Sequence, residues 1–467
     1  MRSPSETAPS LPPRRAWLWP QAGASPLWLG VVGMVCVATG VTAGVDPKIG
    51  LMVALGIAFA AIVMANLTAG VFLFTFLAWL NAVTKGGTAV SGAKAAGLLL
   101  FVSWFAARSV RADPDAPSFP DEQPAVTVAA VVLATWSAMS VVWAHNRGAA
   151  ITSTYQLVLD MVLFPIIFYA IRRREDFLWI LAAFVMGAFV SALIGFGQSG
   201  SRQTGALGDA DQEGTLLAVA LILLVGLIAC LPRGSAVRRW GPLGVLFLAL
   251  GVVNAGSRGG LLALASGVAA GVVFGGRWRS KALATLLAAA AAMGVYLTTI
   301  APRAASSHLS GTSSTGRSDL WRVGLRVFES NPLGGSGAGN FSSVSVHYVQ
   351  QVDNISAGPF IISQKPKPVH NTYLELLADL GVPGLVAFLV IVLGSVSAAL
   401  KAAHIYERLG DSGAELLSRC VALAVITQLT GAFFITATPL KLMWLIIALP
   451  FPLLAIARGE AHLTRRG

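Results

Sequence analysis

Apolar residues along this chain fall into runs of about twenty, separated by short polar stretches, almost from end to end. A helix of that length spans the hydrocarbon of a bilayer, so the pattern predicts an all-α polytopic transmembrane bundle. The runs lie at about 26–44, 49–65, 68–84, 91–107, 125–144, 150–171, 177–197, 213–231, 241–256, 259–275, 280–300, 381–401, 416–435 and 438–457, which makes about 14 spans. The stretch 49–84 is too long for one helix and is divided only by Asn66, Thr68 and Gly70. The pattern breaks once, from about 301 to 380. There it predicts a large loop with a Gly/Ser/Thr-rich start, Gly311 to Gly316, and an amphipathic helix, Ser318 to Ser330. Leu320, Val323, Val327 and Phe328 share one side of that helix, which suits it to lie on a membrane surface.

The end of the loop holds the most informative local sequence, Val369 to Gly384. Pro366 and Pro368 keep the backbone extended, Asn371 is a good N-cap, and Tyr373, Leu376, Leu377 and Leu380 recur at helical spacing. Gly381 and Pro383 mark the stop of a short helix. His370 thus stands at a helix N-terminus, where the macrodipole disfavours a proton on the ring. A neutral imidazole there suits a general base; a capping or hydrogen-bonding surface histidine is the alternative.

Composition agrees with the pattern: 55% of residues are hydrophobic, 12% are charged, and the mean hydropathy is +0.72. The net charge of +12 resides mostly in short loops, so it reports topology before it reports nucleic acid. Arginine and lysine cluster in every second loop, as at Arg172 to Arg174 and at Arg233, Arg238 and Arg239, while the intervening loops carry single cations. The positive-inside rule then places both termini in the cytoplasm and the large loop outside. The division is a tail at 1–25, spans at 26–300, the loop at 301–380, spans at 381–457 and a tail at 458–467. Cys36, Cys230 and Cys420 lie in apolar runs without pairing, and the six histidines show no ligand spacing, so no metal or cofactor is expected. Asp160 is the one acid clearly inside a span, which argues against a proton-coupled carrier.

On this topology Arg202, between the seventh and eighth spans, and Arg258, between the ninth and tenth, face the same side as His370. An arginine at a membrane rim is ordinarily a snorkelling anchor. Arg258 is set among Gly256, Gly259 and Gly260 and directly before a helix, an arrangement that lets backbone and guanidinium receive phosphate oxygens together. Gly334 to Phe341, GGSGAGNF, has no preceding strand or following lysine and reads as a flexible turn.

Four stretches, in this order, resemble the O-antigen ligase and polymerase-like membrane glycosyltransferases: Arg202 with TGALGD, SRGGLLAL at 257–264, GRSDLWRVGLRVFESNPLGGSGAGNF at 316–341 and VHNTYLELLADLGVPGL at 369–385. The resemblance implies a glycan donor on a polyprenyl diphosphate such as undecaprenyl diphosphate, an acceptor hydroxyl, and metal-independent, inverting transfer. It also implies a place in the inner (plasma) membrane with the site facing away from the cytoplasm. Carried onto this chain, Arg202 and Arg258 would hold the diphosphate, His370 would activate the acceptor, and Arg317 with Trp321 would order the loop or bind substrate. The family usually has Pro-Asn after its GD, whereas Ala210 and Asp211 follow here, which leaves the surroundings of Arg202 open. A polymerase of repeat units is the alternative within the family, and a lipid or solute transporter the alternative outside it.

Overall fold

The computed structural model describes residues 40, 44, 46–80, 92–110, 118–200, 202–295, 316–353, 355 and 367–466. The expected first span at 26–44 and most of the Gly/Ser/Thr-rich segment lie outside them. The chain divides into two units, Met1–Ala61 and Ile62–Gly467. In the first, the described residues chiefly begin an apolar helix, α1 (Pro47–Ala65). All that follows concerns the second.

That unit continues with α2 (Leu67–Trp79), α3 (Gly92–Val110), the single turn α4 (Phe119–Glu122), α5 (Pro124–Ser140), α6 (Arg147–Ala170) and α7 (Arg174–Phe196). Then come α8 (Ala210–Cys230), α9 (Ala236–Asn254), α10 (Arg258–Phe274) and α11 (Arg279–Val295). The loop contributes α12 (Arg317–Ser330) and α13 (Phe341–Tyr348). The C-terminal part holds α14 (Thr372–Leu409), α15 (Ser412–Gly431), α16 (Lys441–Ala448) and α17 (Pro450–Arg466). Every described regular element is helical, as the apolar periodicity predicts.

The expected count of about 14 spans is not reached among the described residues. Among the described residues seven helices are long and apolar enough to cross a membrane, or eight if one bent pair counts as a span. With 13 residues, α2 rises only about 20 Å, short of the roughly 30 Å of hydrocarbon. Helix α10 and the segment Gly276–Ala288, expected as two spans, meet at a bend of 117°.

Helix α8 lies at the centre, packed on α7, α9, α10 and α15. Small residues allow the close approaches: a Cβ on Gly267 would stand 2.0 Å from the Thr427 hydroxyl, and one on Gly226 would stand 2.8 Å from the Cys420 Cβ. Acids other than Asp160 also prove to lie within span helices, among them Glu213, Glu375, Asp379 and Glu415. Each has partners supplied from far along the chain. Lys441 reaches Asp160 at 2.5 Å, Arg277 pairs with Glu415, and Thr438 donates to Glu375 at 2.6 Å.

The loop helix α12 does not spend its apolar side on lipid. Leu320, Val323 and Val327 are buried with Phe341, Val344, Val369, Leu374 and Ala378, so α12 packs on α13 and on the start of α14. The expectation of a surface-lying helix fails because the protein supplies its own apolar partner. The GGSGAGNF segment is likewise not a free turn. Gly335, Gly337 and Gly339 take positive φ. The Asp379 carboxylate accepts from the Gly339 amide at 2.9 Å and the Phe341 amide at 2.7 Å. One buried acid thereby ties this loop to α14.

Candidate active site

The site is assembled from helix N-termini. Asp209 caps α8, its carboxylate accepting from the amides of Asp211 and Gln212, both at 2.9 Å. This fixes Asp211 in the first turn with its side chain at the end of the helix. One Asp211 oxygen accepts from Arg202 at 2.6 Å and from the Ser257 hydroxyl at 2.7 Å. The other oxygen pairs with Arg317. Asp211 thus joins three segments of chain that are remote in sequence.

Ser257 in turn starts α10. Its hydroxyl accepts from the Gly260 amide at 3.0 Å while donating to Asp211, and the residue is fully buried. Arg258 follows as the first residue of α10. The glycines around it serve contact: a Cβ on Gly260 would lie 2.7 Å from the Gly214 carbonyl carbon, and one on Gly259 2.8 Å from the Phe434 Cβ. These close approaches seat the start of α10 between α8 and the segment after α15.

That same segment holds the histidine. His370 has φ 53°, the one described non-glycine residue with positive φ. Its amide donates to the Thr436 hydroxyl at 3.2 Å. On the next residues, Asn371 caps α14 through the amides of Tyr373 and Leu374 at 3.0 and 3.1 Å. Thr372 donates to the Ile435 carbonyl at 2.8 Å. The expected helix start at Asn371 is therefore present. Helix hydrogen bonding resumes beyond Gly381, where φ 67° and ψ −165° mark a kink at the expected stop.

Burial lowers the His370 pKa below the usual imidazole value, and the positive charge of Arg317 lowers it further. Asp209 and Asp211 oppose the shift, and Lys367 adds to it. The neutral form of His370 is therefore favoured. Arg202 and Arg317 converge on one carboxylate, and Ser257, next to Arg258 at the start of α10, is its third partner. Trp321 stands one turn along α12 from Arg317, half-buried against the loop core. Its indole N–H is buried with no hydrogen-bond partner among the described residues.

Sequence reasoning missed Asp211, Ser257 and Thr436. Asp211 was visible only as a departure from the family pattern, and nothing in its spacing announced two arginine partners. The loop before it is well supported. Gln198 accepts from the Thr204 and Gly205 amides at 2.9 and 3.2 Å. Ser191 accepts from the Ala206 amide at 2.9 Å and donates to Glu213 at 2.7 Å. Among the described residues no group of three or more His, Cys, Asp or Glu side chains is arranged to hold a metal ion.

The family model described as O-antigen ligase matches residues 243–389. Over these residues the chain is similar to the O-antigen ligases. The match covers Arg258, Arg317, Trp321 and His370, and leaves Arg202 and Asp211 outside its N-terminal limit. No curated protein matches the chain. Among the described residues, seven or eight helices have the length and apolarity of a multi-pass membrane protein.

Proposed function

We propose that this O-antigen ligase-like protein transfers a glycan from a polyprenyl-diphosphate donor to an acceptor hydroxyl on the outer side of the cell membrane. The observation that carries the reading is the convergence of Arg202 and Arg317 on Asp211, beside Arg258 and a histidine held in its neutral form. Arg202 and Arg258 receive the diphosphate oxygens, aided by the amides at the start of α10. Arg317 is divided between Asp211 and the substrate and, with Trp321, holds the loop over the site.

In the reaction His370 takes the proton of the acceptor hydroxyl as its oxygen attacks the anomeric carbon. The bond from that carbon to the diphosphate oxygen breaks on the opposite face, so the anomeric configuration inverts. The departing diphosphate keeps the bonding electron pair, and the arginines stabilise its charge. Diphosphate is a good leaving group, so positioning and charge account for most of the rate and no metal ion is required.

The test is transfer by the purified full chain in vesicles supplied with lipid-linked glycan and a separate acceptor, with EDTA present. A product with an inverted linkage is expected. A strict need for magnesium would remove the mechanism. A ladder of repeats formed without a separate acceptor would assign the polymerase alternative, and movement of the lipid without bond formation would assign the transporter.

A further inference from the structure

A second cavity lies at the other end of the loop helix. It has a volume of about 420 Å³ and is lined by Trp143 and His145 from the turn after α5, Asn331 after α12, and Ser343, His347 and Tyr348 on α13. Among the described residues its lining contains no aspartate, glutamate, lysine or arginine. That composition disfavours a phosphate or another charged ligand and offers indole, phenol and imidazole faces together with hydroxyl and amide groups. Flat aromatic surfaces beside hydrogen-bonding groups suit a ligand that is polar at its edges and carries C–H bonds on its faces, which is the chemistry of a sugar ring.

The walls are held in place before any ligand arrives. The Trp143 indole donates to the Gly334 carbonyl at 3.1 Å and packs on Trp136, with ring centroids 5.7 Å apart. Trp143 nevertheless keeps 37% of its surface exposed. The Tyr348 hydroxyl bonds Ser330 at 2.9 Å, and the His347 and Tyr348 rings meet edge-on at 5.3 Å. Asn331 bonds both the Gly334 amide and the Gly335 carbonyl, which sets the turn at the mouth.

Helix α12 joins the two places. Arg317, at its N-terminus, pairs with Asp211, while Ser330 and Asn331, at its C-terminal end, belong to the cavity. Fourteen residues at 1.5 Å each give a separation of roughly 20 Å. A glycan whose diphosphate is held at the Arg317 end of α12 would reach the cavity only with units removed from the bond being made.

We infer that this cavity is a saccharide subsite that grips sugar units of the glycan remote from the reacting bond; the assignment of those units rests on the transfer reaction proposed above. It accounts for a polar, uncharged, aromatic-walled cleft fixed to the catalytic cluster by a single rigid helix.

The probe is a set of short oligosaccharides released by mild acid from the producing cell's own surface polysaccharide, bound to the full chain in detergent. Trp143→Ala removes one wall, and Ser343→Trp fills the cleft from an exposed position. Each should weaken binding at least about tenfold, while Trp143→Phe retains most of it and inorganic diphosphate does not compete. In transfer assays both disrupting variants should raise KM for long lipid-linked chains and leave single-repeat donors unchanged. Oligosaccharide binding equal to wild type in both variants, or competition by diphosphate, would overturn the subsite. Wild-type protein that binds the oligosaccharide in the cleft and transfers nothing would instead overturn the glycosyltransferase reading.

Discussion

Arg317 and Asp211, 106 positions apart in sequence, form an ion pair that ties the loop helix to the first turn of the central helix. The same carboxylate accepts from Arg202 and from the Ser257 hydroxyl. Arg317 can turn towards a bound diphosphate while Asp211 keeps its bonds to Arg202 and Ser257. In the proposed reaction the carboxylate would therefore serve as a positioning group for the cations that meet substrate.

Asp211→Asn keeps a hydrogen-bond acceptor and loses the charge, whereas Asp211→Ala loses both. Displacement of a substrate-holding group by about 1 Å can cost on the order of 100-fold in rate. Asp211→Ala should lower transfer by about that factor, and Asp211→Asn by less. Both should be read against donor concentration, because a positioning defect raises KM for the diphosphate-linked donor as well as lowering kcat. Equal, wild-type kinetics in both would remove Asp211 from the site.

The pH profile follows from His370. A base must be neutral to accept a proton, and burial with Arg317 nearby holds its pKa below the ordinary value of 6.5. Activity should therefore stay high as pH falls from 8 through 6.5 and drop only on the acid side of that value. Replacing Arg317 with Gln removes the largest charge that opposes protonation, so the acid limb should move upwards in pH. Asp209 and Asp211 would then act unopposed except by Lys367 and strengthen the same movement. A limb unmoved by Arg317→Gln would separate His370 from the rate-limiting proton transfer.

The backbone at His370 supplies a control that the ring alone does not. With φ 53° the position sits in the left-handed region, which asparagine tolerates and β-branched residues do not. His370→Asn should leave the thermal midpoint in detergent nearly unchanged and abolish transfer. His370→Val should lose transfer and also lower the midpoint. Transfer by His370→Asn at the wild-type rate would exclude the ring as the base.

Much of this arrangement was legible in local sequence. The helix class followed from apolar run length, and the start of α14 followed from Asn371 and the leucine spacing after it. His370 and Arg258 were singled out because each stands beside a helix start that the local sequence announces, and Arg317 through the family resemblance. What escaped depends on contacts between distant segments. Asp211 acquires its meaning from Arg317, Asp160 from Lys441, and α12 from an apolar surface that only the folded loop and α14 create. For a related reason a run of apolar residues does not reveal the 117° bend between α10 and the segment Gly276–Ala288.

Lys441 and Asp160 test a buried ion pair that takes no part in the Asp211 cluster. Asp160 is fully buried on α6 and Lys441 begins α16, 2.5 Å away. Lys441→Ala strands the carboxylate in an apolar setting, which typically costs about 3–5 kcal/mol for a buried pair broken on one side. The variant should show a clearly lower thermal midpoint, and the double replacement Lys441→Met with Asp160→Leu should recover much of it. Recovery is expected because two packed apolar side chains leave no charge unpaired, whereas the single variant leaves one.

Gly260→Ala addresses the site through packing alone. Its new methyl would fall 2.7 Å from the Gly214 carbonyl carbon, a backbone atom that cannot swing aside, so α10 must move away from α8. Overpacking of this kind costs about 1–3 kcal/mol. The larger effect should be on transfer, because the displaced N-terminus carries both Ser257, which bonds Asp211, and Arg258. The expected result is a modest fall in thermal midpoint with a loss of transfer disproportionate to it. Gly267→Ala provides the comparison: it presses α10 on Thr427 well away from Arg258, so it should lower stability at least as much while sparing the activity of the folded fraction. If both variants lost activity only in step with stability, the start of α10 would be a packing element and Arg258 would have no part in holding the diphosphate.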